Sequence, residues 1–123
     1  MSGQLVKPSG ISLKVTENYL QQIRDMFYMS DKMFELCLRI TKELYITNFL
    51  GNQNPRSVSA AIVYICAVRC GISITQWGIH DLTGVHPQTI RKNYLKIKAH
   101  FEKKEKNEYA FAEMIDIFFE VIP

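Results

Sequence analysis

No stretch of this 123-residue chain is apolar for anything near the roughly 20 residues that a bilayer-spanning helix requires. The opening residues, Met1 to Pro8, lack the continuous apolar segment of a signal peptide, so a cytoplasmic protein is expected. Cysteine is scarce. The three present, Cys37, Cys66 and Cys70, are odd in number and form no CxxC pair. Cys66 and Cys70 stand four apart in an apolar helical pattern, where free cysteine acts as a small hydrophobe, so all three read as buried thiols. A zinc site would need four clustered ligands, and His80, His86 and His100 do not have that spacing with the cysteines. No metal or cofactor is therefore expected. A nucleophile–base pairing and a glycine-rich phosphate loop are also missing, and the lone Trp77 and the six tyrosines read as core or rim residues. An enzyme is the least favoured class. Strand patterns, low-complexity segments and internal repeats are absent too, which leaves an all-α fold.

What is present suits one soluble domain. Apolar residues make up 47% of the chain and charged residues 22%. A chain of this length buries about two-thirds of its unfolded surface and needs no staple to fold. The net charge is +3, unevenly spread. Between Thr75 and Lys106, seven basic residues (Arg91, Lys92, Lys96, Lys98, Lys103, Lys104, Lys106) face only Asp81, Glu102 and Glu105. From Asn107 onward every charge is acidic: Glu108, Glu113, Asp116 and Glu120. A basic stretch followed by an acidic tail suggests a polyanion-binding face and a differently employed C-terminus, although many charge runs are only solvated faces.

Helical punctuation divides the chain. Residues 1–14, with Gly3, Pro8, Ser9 and Gly10, read as an irregular leader, and Thr16 as the cap of a first helix carrying Tyr19, Leu20, Ile23 and Phe27. Ser30-Asp31 restarts the pattern for a second helix that ends near Gly51. Asn54-Pro55 pairs a capping side chain with a proline at the first helical position. The third helix, to about Cys70, is apolar nearly all round, which places it in the middle of a bundle. Thr75 caps a short fourth helix to Thr83, and His86-Pro87 opens a long fifth with Ile90, Tyr94, Ile97 and Phe101 inward. A sixth, strongly amphipathic, carries Tyr109, Phe111, Met114, Ile115, Phe118 and Ile122 on one side. Its apolar side packs either on the same chain or on a second copy, as a homodimer.

Residues 75–98 satisfy the geometry of a helix-turn-helix. The first helix is short, Gly84 supplies a turn position tolerant of positive φ, and Ile79, Leu82, Val85 and Ile90 can lock the crossing. Such a motif presents the N-terminal residues of its second helix to the DNA major groove, here Gln88, Thr89, Arg91 and Lys92. Gln pairs with adenine and Arg with guanine through two hydrogen bonds, while Lys96 and Lys98 lie where phosphates pass. Spacing alone fits an ordinary helix pair joined by a glycine turn equally well.

Two stretches carry a family resemblance. Gly51-Asn52-Gln53-Asn54-Pro55-Arg56-Ser57-Val58-Ser59-Ala60-Ala61-Ile62-Val63-Tyr64-Ile65 resembles the central helix of a cyclin repeat. It is most similar to the repeats of transcription factor IIB and archaeal transcription factor B, as is Thr75-Gln76 … Ile79 … Leu82-Thr83-Gly84-Val85 … Thr89-Ile90-Arg91-x-x-Tyr94. The resemblance covers about residues 16–103 and implies a five-helix cyclin-like repeat over residues 15–105, with residues 106–123 as an added C-terminal helix. It further implies DNA binding in transcription, with double-stranded DNA and the TATA-binding protein or other basal transcription components as partners. Gln88, Thr89, Arg91, Lys92 and Lys96 would then contact DNA, with Arg56 and Ser57 meeting phosphate at the start of the central helix. The place of action would be the cytoplasm, or the nucleoid in an archaeal or viral setting. Gly78, His80 and His86-Pro87 depart from the family pattern, and neither a second repeat nor a zinc ribbon is matched. The alternative is a cyclin-like protein-interaction module without direct DNA binding.

Overall fold

The structure, a computed structural model, describes residues 10–122, and these form six α-helices and no strand. Helices α1 (Gly10–Phe27), α2 (Asp31–Ile46), α3 (Pro55–Arg69), α4 (Gln76–Thr83), α5 (Pro87–Glu105) and α6 (Ala110–Val121) follow in order, with one 3-10 turn at Leu50–Asn52. None is long and apolar enough to cross a membrane.

Helix α3 is the axis. Val58, Ala60, Ala61, Ile62, Val63, Ile65, Cys66 and Ala67 are all buried, so apolar side chains cover most of its circumference. That pattern has one solution in water: neighbours on every side, here α1, α2, α4 and α5. The alanines let those helices approach closely. Asn54 caps it, its side-chain oxygen accepting from Ser57 N at 3.1 Å, and Pro55 occupies a position whose N–H would be unbonded anyway. Its buried hydroxyl, Ser59 Oγ, donates to Pro55 O at 2.6 Å and lies 3.3 Å from Thr16 O of α1.

Two boundaries differ from the expectation. The leader expected over residues 1–14 is helical from Gly10; residues 1–9 lie outside the described part of the chain. Thr16 is therefore no cap. It is buried inside α1, its hydroxyl donating back to Ser12 O at 2.7 Å, which satisfies it without a free helix end. The second helix ends at Ile46, short of Gly51, because Asn48 takes the left-handed conformation (φ 65°). Asparagine tolerates that region, and Phe49 N then bonds back to Leu44 O at 2.9 Å and turns the Phe49 ring into the core.

The sixth helix packs on α5 and α2 of the same chain, burying Phe111, Ile115 and Phe118. Arg69 of α3 latches it: its Nε lies 2.7 Å from Asp116 Oδ1, and its guanidinium sits 4.1 Å from the Phe119 ring centroid. Tyr109, expected on the apolar stripe, is exposed just before the helix begins.

Candidate nucleic-acid interface

The α4–turn–α5 unit is built by local chemistry at three points. Thr75 Oγ1 accepts from Gly78 N at 3.0 Å and starts α4. Gly84 ends it at φ 76°, its N–H reaching His80 O at 2.7 Å. His86 starts α5, with its Nδ1 accepting from Gln88 N at 3.1 Å. A histidine thus does the work of the serine, threonine or aspartate usual at this position, and the accepting nitrogen must be the unprotonated one. The fully buried Ile79 and Ile90 and the buried Val85 lock the pair from inside, with Leu82 half-buried beside them.

Three residues that depart from the family pattern have structural roles. Gly78 leaves room for Ile74, whose Cγ1 would lie 3.0 Å from an added Cβ. His80 Nδ1 lies 3.1 Å from Val85 O, tying α4 to the turn. The His80 and His86 rings and Trp77 form a tilted cluster, with centroids 5.4 to 6.3 Å apart, on the outside of the turn.

Along α5, Gln88, Lys92 and Lys96 are spaced by four residues and all exposed, so they form one outward line that Lys103 continues. Lys92, Lys96 and Lys103 enter no ion pair among the described residues. Thr89 is half-buried, and its carbonyl accepts from the buried Asn93 side chain at 2.9 Å. Arg91 is exposed but stands on the flank nearer α6, where it lines a groove with Tyr94 and Lys98. Lys98 is held by Glu102 at 2.8 Å, which keeps its ammonium above the usual range. Arg56 and Ser57 are set apart from this line. The Ser57 N–H is taken by the Asn54 cap, and Arg56 lies over the Tyr19 ring beside Leu82 and Thr83. The sequence reading missed the Trp77–His80–His86 cluster; its signal was the spacing of three aromatic rings across one glycine turn.

The model of the transcription factor TFIIB repeat family matches residues 11–100. The chain belongs to that family. The match runs from the start of α1 to His100 in α5, so all five repeat helices of the expected cyclin-like fold are present and α6 lies beyond it. No curated protein and no solved structure matches the chain. Within this TFIIB repeat two of the three thiols are buried as expected, whereas Cys70, at the C-terminal end of α3, is half-exposed because the chain turns away at Gly71. Cys37 and Cys66 are buried and free, and burial, foremost, pushes the Cys66 thiol well up, with the neighbouring Cys37 adding to the shift.

Proposed function

We propose that this repeat is a transcription regulator that binds double-stranded DNA through α4 and α5. Gln88 meets base edges in the major groove, Arg91 reaches them from the flank nearer α6, Thr89 sits at the groove's mouth, and Lys92 and Lys96 meet phosphates. The observation that carries the reading is the line Gln88, Lys92, Lys96 and Lys103, exposed and free of carboxylates, on the helix that follows a glycine-capped turn. The positive end of the α5 dipole adds to it. Arg56, beside the C-terminal end of α4, adds a peripheral phosphate contact, with Ser57 behind it. The modest net charge of +3 implies weak binding alone and stronger binding with a TATA-binding protein already on the DNA.

The test is a salt titration of DNA binding, with and without TATA-binding protein. Lys96→Ala weakens binding to every sequence and lowers the salt slope by about one unit. Arg91→Ala costs roughly 1–3 kcal/mol on the preferred site and blurs the preference. Absence of salt-dependent binding in both conditions sinks this reading. A protein-interaction module then takes its place, favoured by the exposed Ile117 and Val121 on α6, which suit a second copy in a homodimer or a basal transcription component.

A further inference from the structure

Helix α6, outside the family match, closes one side of a groove whose other walls are α3 and α5. The hollow measures about 320 Å³. Its floor is a run of edge-to-face rings, Tyr64 on Tyr94 at 5.8 Å and Tyr94 on Phe111 at 5.9 Å. Val68, 61% exposed, and Ile115 extend the apolar wall. Charge on the rim is one-sided. Arg69 and Asp116 neutralise each other at 2.7 Å, and Lys98 is held by Glu102. Arg91 alone of the rim cations has no carboxylate partner among the described residues.

We propose that this groove binds a small amphipathic anion: an aromatic body against Tyr64, Tyr94 and Phe111, and a carboxylate on Arg91. The volume lies at the lower end of the roughly 300–1,000 Å³ of small-molecule pockets, and an apolar hollow with one placed polar group is their usual make-up. The planar guanidinium offers two parallel N–H donors, which match a carboxylate better than a point cation would. Rings in the floor present edges and faces to a flat ligand, the arrangement aromatic pairs prefer.

The probes are 8-anilinonaphthalene-1-sulfonate, followed by its fluorescence on the full chain, its neutral analogue N-phenyl-1-naphthylamine, and 1-naphthoate as a competing carboxylate. The sulfonate binds saturably at one site and 1-naphthoate displaces it. Arg91→Gln weakens both anions about tenfold, the loss of one charge-assisted contact, and leaves the neutral analogue unchanged. Val68→Trp fills the groove and abolishes binding of both fluorophores with an unchanged melting curve. Should that variant fold poorly, Ala112→Trp, an exposed substitution on the α6 wall, takes its place. The inference is overturned by any of three results: no saturable binding, binding indifferent to the tryptophan, or equal loss of anion and neutral analogue in Arg91→Gln.

Discussion

At Gly84 the backbone turns through φ 76°, and nothing lies within 4 Å of where a Cβ would stand. The position therefore selects glycine by backbone conformation and not by crowding. Gly84→Ala should lower stability by about 1–2 kcal/mol in urea unfolding, with Gly84→Asn closer to the parent because asparagine tolerates the left-handed region. His100 carries a different expectation. Its Nε2 lies 2.8 Å from Thr47 Oγ1, and its ring packs 5.0 Å from Phe49 and 5.1 Å from Phe101. Burial, with the nearby Lys104 second, lowers its pKa from the ordinary 6.5, so the folded chain prefers the neutral ring. The unfolded chain takes up the proton first as pH falls, so stability is complete above about 6.5 and declines below it, down through the lowered folded value. Melting curves across that window should show His100→Gln losing less stability than the parent. The glycine was legible in the sequence, since a lone Gly between two short apolar patterns marks a turn. His100 was not: its partners, Thr47 and Phe49, stand more than 50 residues away in the chain.

Helix boundaries were legible wherever a cap side chain sits beside its own helix. Ser30, Asn54 and Thr75 all accept from a backbone N–H three residues on, as their positions before apolar periodicity implied. Thr16 misled because a threonine inside a helix bonds its own preceding turn, and only burial separates that from a cap. Helix α6 shows what amphipathicity leaves open. Its stripe announced a partner, but which surface would cover it depended on α2 and α5 both lying within its reach. Packing, more than its ion pairs, should hold it. Phe111→Ala is expected to cost about 3 kcal/mol, whereas Arg69→Ala, which frees the exposed Asp116 and Glu120, should cost about 1 kcal/mol or less. Equal and negligible effects in urea unfolding would mean that α6 contributes no packing.

Over the whole molecule, the basic stretch and the acidic tail do not cancel each other as their adjacency in the sequence suggests. Asp116 and Glu120 turn to Arg69 on α3, and Glu113 accepts from the Asn107 side chain. Lys92, Lys96, Lys103 and Lys104 of α5 stay open to solvent, so the field above that helix is stronger than the net charge implies. Short-range information sufficed for six helices, for the all-apolar α3 as the bundle's axis and for the glycine turn before α5. Those features follow from periodicity, capping chemistry and φ, which act within a few residues. Only the tertiary structure separated Arg91 from the line of Gln88, Lys92 and Lys96, set Arg56 beside the C-terminal end of α4, and opened a groove between α3, α5 and α6. These depend on the angles at which helices cross. The angles are set by the shapes of side chains distant in sequence meeting in one core, which no local pattern records.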